Sequence, residues 1–509
     1  MKTGSLILFV ALSGGAIWTM KRIATSFASA SVSTALAAPK AAAPKVTASQ
    51  GAAPVTTNPV VSPATSWDFK WKPAKGEVAP TVEVSPLKYG KTWAYSVEID
   101  DGPASTLSVV APLLEGFSFT DAPPGIAGGK ARPFVGGAAI FLLRFDTGNS
   151  TLLSADDAKK LRERGWGMLN HSYWHSGVHW DRALSNKPAD WRRELFWSQS
   201  LWPALLGEGR AATHLVYPNG DPGYRDYTAE FGLQSASRVG GSSPRRADDK
   251  AVWLDLDRNY LDEGAWAKEN NALSGLPDSP KAGDFIIDFT HGIDAPGSVN
   301  FQRWQTRLEH IAGKWGAQGD DSLWCAPTDA VVNYARAAKA ARVSAKAGGV
   351  HVDFPPDLPG SALTLHLKGL APSAKLVAPQ GGNLFRSGDE AWITTPTLGQ
   401  VGAKPPAKLK CVFRGPLGDV KLDAPHKIAG IRVLQSGDTG KDWKLSLQLI
   451  GKNGETTELV RPEKATLGAQ WGSWLLFPAM PDREAITAQE IHAPTNRALS
   501  QMEVWALDE

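Results

Sequence analysis

Two groups of polar residues, far apart in the chain, have the types and spacing for hydrolytic chemistry. Asp100-Asp101-Gly102-Pro103 follows an apolar segment, and His171-Ser172-Tyr173-Trp174-His175 comes later. Histidines four apart fall on one side of a helical turn, so both imidazoles can reach a single ion, with a carboxylate from elsewhere as third ligand. Three protein ligands leave one coordination position open. That marks a catalytic rather than a structural metal site, because water bound there turns acidic near neutral pH. An acid pair beside a cation can also divide labour, one carboxylate ligating while its neighbour stays free for proton transfer.

Such groups need a frame, and from about Lys91 to Val343 strand-like and helix-like stretches alternate. Strands are expected over Trp93–Ile99, Ala138–Phe145, Trp166–Asn170, Thr213–Tyr217, Ala236–Val239, Val252–Leu256, Phe285–Thr290 and Ser322–Cys325. Helices are expected over Leu107–Leu114, Trp191–Leu206 and Asp329–Arg342, and Ser154 with Asp157 three residues on makes a capping-box-like start to another. Repeated βα units imply an α/β fold with a parallel sheet, and about eight strands favour a distorted (β/α) barrel. The polar groups respect the strand ends. Asp100 and Asp101 follow one strand, His171 a second, Tyr217-Pro218-Asn219-Gly220 a third and His291 a fourth. In a parallel barrel these ends share one rim.

In that order the residues resemble the polysaccharide deacetylases of carbohydrate esterase family four, the NodB-homology domain. The family's first motif has the form Thr-Phe-Asp-Asp-Gly and its second His-Ser/Thr-x-x-His. Here Val97-Glu98-Ile99-Asp100-Asp101-Gly102-Pro103 keeps the acid pair and lacks the Thr-Phe, and the second motif is intact. The resemblance implies that Asp101, His171 and His175 hold a divalent metal, zinc first, with cobalt, nickel and manganese as other fits to a mixed N/O site. It implies Asp100 as general base. Phe285-Ile286-Ile287-Asp288-Phe289-Thr290-His291-Gly292-Ile293 resembles the fifth motif, whose His protonates the leaving amine. Tyr217-Pro218-Asn219-Gly220 resembles the third, with the Asn219 backbone N–H completing an oxyanion hole and Tyr217, Pro218 and Trp174 meeting substrate. In many relatives an Arg opening the third motif orients the catalytic Asp. Leu215-Val216 stand there instead, so Arg258 is the candidate replacement and Asp257 the candidate for tuning His291, against a competing reading as a surface ion pair. His214, inside an expected strand, reads as a core residue, and His179 as exposed loop near the second motif.

Outside that region the chain changes character. Residues 1–37 read as an export signal, because the apolar run Ser5 to Trp18 is shorter than the ~20 residues that span a bilayer and Ala35-Leu36-Ala37 offers a small-x-small cleavage site. Met20-Lys21-Arg22 interrupts this leader, and Met20 is an alternative start. Residues 38–66 are an Ala/Pro-rich linker unable to order itself. A barrel is expected over 67–345, a small β module over 346–403 and a β-sandwich over 404–509, the last with Asn453-Gly454 as a hairpin turn. Trp443, Trp471, Trp474 and Trp505 could form a carbohydrate platform or a sandwich core. Cys325 and Cys411 could pair or stay separate.

Composition narrows the function. Lys and Arg total 54 against 51 acids, and Lys2, Lys21 and Arg22 fall in the leader, so the body is neutral and lacks the basic surface a nucleic-acid binder needs. No stable membrane span is expected. The reading is an exported, periplasmic or extracellular metal-dependent deacetylase of acetylated polysaccharide or peptidoglycan, acting on an N-acetylhexosamine amide. An O-acetyl esterase and a non-catalytic glycan-binding protein are the alternatives.

Overall fold

A computed structural model describes residues 64–73, 76–175, 188–207, 209–240, 245–262, 271–436, 446–460, 472–479, 485–494 and 498–508. The leader, most of the linker, His179, Trp443 and Trp471 lie outside the described residues.

Seven parallel strands close a barrel: β1 (Trp93–Ile99), β2 (Gly137–Ile140), β3 (Gly167–Asn170), β4 (His214–Val216), β5 (Ser235–Val239), β6 (Leu256–Tyr260) and β7 (Asp284–Thr290). β7 returns to β1 in parallel, from Phe285 opposite Ala94 to Thr290 opposite Ile99. The expected eighth strand, β8 (Leu323–Cys325), exists but does not complete the ring at the site. Along its other edge β1 pairs first with β8, at Trp93–Tyr95, and then with β2, at Glu98 and Ile99. β8 is thus wedged in at the N-terminal end of β1, and seven strands meet at the opposite rim. Every residue of β1 is buried, as a strand covered on both faces requires.

Helices wrap the barrel. Ala155–Glu163 opens with the capping box foreseen at Ser154, whose Oγ accepts from Asp157 N at 3.1 Å. Pro188–Leu206, Val299–Trp315 and Thr328–Ala340 are the other long ones. Among the described residues no helix is long and apolar enough to cross a membrane.

The expected strand Ala138–Phe145 stops at Ile140. Phe141 to Leu143 and Phe145 stay buried, but their backbone turns to meet the last domain: Leu143 O accepts from Trp474 N at 2.7 Å. A local apolar run cannot reveal that its partner lies more than 300 residues away.

The small module reaches across the barrel in sequence. Ser66–Lys70 pairs with Gly349–Asp353, which also pairs with Arg342–Lys346. Thr81–Val84 pairs with Ser361–Lys368 in a sheet completed by Leu384–Ser387 and Glu390–Leu398. Residues on both sides of the barrel therefore build one module.

The C-terminal module is all antiparallel, around its own cluster of Ile431, Val433, Leu447, Phe477, Ile491 and Val504. Its long strand Val420–Gln435 pairs with Ile486–His492 up to Ile428, then with Leu499–Leu507 and Ser473–Pro478. Ser446–Ile450 and Thr456–Val460 form the hairpin around Asn453-Gly454, with Gly454 at φ +83°. Trp474 and Trp505 are buried, which removes them as sugar platforms. Cys325 is buried, Cys411 is exposed, and both are free thiols.

Candidate active site

The C-terminal ends of β1 and β3 bring Asp101, His171 and His175 together. Their ligand atoms all lie within 4.8 Å of one another. Asp101 Oδ1 is 3.3 Å from His175 Nε2 and 3.6 Å from His171 Nε2. His171 Nδ1 donates to Val216 O at 2.7 Å, which fixes the tautomer and leaves Nε2 as a lone pair. Asp101 Oδ1 and His171 Nε2 are buried without a hydrogen-bond partner. Leaving such atoms unsatisfied is costly, and a divalent cation is the group this donor set fits. Burial and the adjacent His171 push the His175 imidazole down to about 4, so it is neutral and able to ligate at physiological pH.

The histidine pair does not sit on a helical turn. Ser172 has φ +65° and His175 φ +57°, a left-handed backbone at two non-glycine residues. Asn170 Oδ1 accepts from Ser172 N at 2.7 Å, and Ser172 Oγ from His175 N at 3.0 Å. Asp101 is left-handed too, at φ +68°. Spacing alone reads as helix, whereas side-chain acceptors at Asn170 and Ser172 support a tighter turn.

Asp100 lies beside Asp101, buried, and accepts from Arg258 Nη1 at 2.8 Å. Arg258 projects from β6 and stacks 3.8 Å over the Phe289 ring. The same Nη1 donates to Glu98 Oε2 at 2.9 Å. Ser96 and Glu98 share one face of β1, and with their partners they form a polar cluster below Asp100, just past the strand's end. Thr328 Oγ1 joins Ser96 at 3.0 Å and Glu98 Oε1 at 2.5 Å, Ser237 Oγ donates to Glu98 Oε2 at 2.8 Å, and His214 Nε2 is 3.4 Å from Glu98 Oε1. Burial pushes Glu98 up, but the charge of Arg258 and the hydrogen bond from His214 hold it at about 2, so it is a buried carboxylate. His214 is a core residue, as its strand position suggests, and a polar one.

His291 ends β7, and its partner is not Asp257. Asp262, two residues beyond β6, accepts from His291 Nδ1 at 2.7 Å, from His291 N at 2.8 Å and from Thr290 Oγ1 at 2.6 Å. Tyr260 Oη donates to the same carboxylate at 2.8 Å. The Asp262 hydrogen bond, opposed by burial and reinforced by the charges of Asp100, Asp262 and Asp101, raises His291 to about 9. Asp257 points to the other side of β6, as alternation along a strand dictates, and pairs with Arg238 at 2.8 Å and with Arg245.

Four further expected residues sit as follows. Trp174 is only 4% exposed, its ring tilted against Tyr173, so it offers no stacking face to a sugar. Tyr217 is buried, with Oη donating to Leu254 O at 2.9 Å, and Pro218 is buried beside it. Asn219 is exposed at the end of β4 with φ +54°. Glu98 and Asp262 were not singled out from the sequence. A lone carboxylate two residues before Asp100 in an apolar strand was the signal for the first, and Asp262 just past a strand end was the signal for the second.

The chain matches no protein-family model, and no curated protein matches it. Among solved structures, a polysaccharide deacetylase of Bacillus cereus shares 13% identity at a TM-score of 0.27, over 45% of this chain and 92% of that one. A deacetylase of Streptococcus pyogenes, solved in complex with acetate, shares 14% at 0.25 over 32% of this chain, which spans 62% of that relative, less than two thirds. The deacetylase domain of BpsB from Bordetella bronchiseptica shares 15% at 0.24, over 38% and 71%. Likenesses this faint say nothing by themselves about what the chain does, and the chemistry rests on its side chains.

Proposed function

We propose that the chain is an exported, metal-dependent deacetylase of an acetylated polysaccharide or peptidoglycan, acting on an N-acetylhexosamine amide. The observation that carries this reading is the pair of buried, unpartnered ligand atoms on Asp101 and His171 beside Asp100, on the rim that also bears His291. A cation held by Asp101, His171 and His175, zinc by preference, supplies Lewis acidity toward water and the acyl oxygen.

Asp100 is the base that takes the proton from the attacking water, and Arg258 holds its carboxylate in place. The Asn219 backbone N–H at the end of β4 is the candidate donor to the developing oxyanion. His291 is the acid. With Nδ1 engaged by Asp262 and its basicity raised, it stays protonated at neutral pH and delivers a proton to the departing amine nitrogen as the C–N bond breaks. The products are acetate and a free amine. No covalent enzyme intermediate is needed.

The test is acetate and free-amine release from chitin oligomers, peptidoglycan and acetylated exopolysaccharide, with chelator treatment and metal add-back. Acetate with equimolar amine, lost on chelation and restored by zinc, is the expected result. Acetate with no new amine would assign the site to O-acetyl esters. Glycan binding with no acetate from any substrate would leave a binding protein.

A further inference from the structure

The turn that carries both histidines leans on the last domain. Left-handed backbone at Ser172 and His175 is unfavourable and persists where the surroundings over-determine it. The carbonyls of Ser172 and Tyr173 accept from the amides of Leu142, at 3.3 Å, and Leu143, at 2.9 Å. Leu143 O in turn accepts from Trp474 N at 2.7 Å, so the hydrogen bonding runs from the turn through residues 142–143 to the strand Ser473–Pro478. A side-chain path runs parallel to it. Tyr173, between the two histidines, donates its hydroxyl to Trp474 O at 3.2 Å and is hydrogen-bonded to Arg432.

Arg432 joins both paths. It donates through Nη2 to Leu142 O at 3.1 Å and through Nη1 to Glu503 Oε2 at 2.9 Å, and it lies 4.5 Å over the Trp474 ring. Trp474 Nε1 reaches Asp146 O at 3.1 Å. Tyr173, Arg432 and Glu503 are fully buried. A buried ion pair is weak evidence for stability by itself, but this one points its guanidinium at the backbone and side chain that support the turn.

We propose that the C-terminal β module is a buttress for the metal-binding turn, with Tyr173, Arg432 and Trp474 as positioning residues that set the spacing of His171 and His175. The inference rests on reading Asp101, His171 and His175 as cation ligands. It gives the module a role in the chemistry that sugar binding does not supply. Groups behind metal ligands commonly change affinity by about 10- to 100-fold when removed.

Tyr173→Phe in the full chain removes the hydroxyl and leaves all three ligands. The expected result is zinc affinity lower by about 10-fold or more in competition with a chromophoric chelator. Shifted visible bands of the cobalt-loaded chain and faster hydrogen exchange at the Leu142, Leu143 and His175 amides should accompany it. The unfolding midpoint of the metal-free chain should stay close to the parent's. Arg432→Met should move the same readouts further, and Tyr173→Phe decides alone if that variant does not fold. Affinity, spectrum and exchange all equal to the parent's would overturn the proposal, as would an affinity loss that merely follows a fall in the midpoint. A parent that takes up no cation would defeat the function proposed above. Exchange at the turn would then still decide the buttress, faster in Tyr173→Phe supporting it and unchanged overturning it.

Discussion

Arg258 reaches Asp100 through Nη1, 2.8 Å from Oδ1, and the same nitrogen lies 2.9 Å from Glu98. One guanidinium thus serves the proposed base and a second carboxylate buried beneath it. Glu98 anchors Arg258 from below and Phe289 covers its face, so the cation that orients Asp100 is itself held on two sides.

Removing that cation leaves two buried carboxylates facing each other. Arg258→Met is expected to destabilise the fold by about 3–5 kcal/mol, the usual penalty for breaking a buried pair from one side. Urea unfolding measures it, and a loss below about 1 kcal/mol would show that the pair does not hold as described.

Asp100→Asn keeps the shape of the side chain and its contact with Arg258 but cannot accept the proton. Acetate release should fall by at least about 100-fold, the lower end of general-base contributions. Zinc affinity should stay within a few-fold of the parent. If the variant turns over at the parental rate, Asp100 is not the base.

In the proposed mechanism His291 is the acid. Its folded value near 9 means that the proton-donating form is lost as pH rises through about 9. In linkage terms, the Asp262 contact adds stability that is complete below the ordinary imidazole value of about 6.5 and disappears toward 9. Asp262→Asn should move the alkaline fall in kcat/KM toward about 6.5. A pH–rate series on both proteins checks this, and superimposable alkaline limbs would exclude Asp262 as the cause.

Cation binding should stabilise the fold by mass action. At 1,000 times its Kd, zinc should add about 4 kcal/mol to the parent. His171→Ala should abolish that gain while raising no new requirement for metal. Scanning calorimetry with and without zinc reads it directly, and an equal gain in the variant would place the ion elsewhere.

How far the chain can be read without coordinates depends on the kind of contact. Asp100, Asp101, His171 and His291 were legible because each follows a strand-like run, and strand ends of a parallel barrel converge. The wedge made by β8 was not, since Leu323–Cys325 looks like any other buried strand until β1 changes partner along its length. Asp257 lies near the start of β6 on the face away from the site, and Asp262 lies just past the strand's far end, so only the strand's bounds and the side each acid takes tell them apart. The left-handed turn at Ser172 depends on Asn170 and Ser172 side chains accepting backbone protons, which a four-residue histidine spacing does not reveal. Tertiary partners hundreds of residues apart, such as Leu143 and Trp474, leave no local pattern at all.

The strand Ser66–Lys70 depends on Gly349–Asp353, and Thr81–Val84 on Ser361–Lys368. Anyone who clones residues 67–345 as a minimal catalytic fragment would cut through both pairings. Phe69 and Trp71 would be bared to water and two strand edges left open to self-association. Precipitation of such a fragment would reflect where it was cut, and a workable expression boundary has to enclose the partners on either side of the barrel.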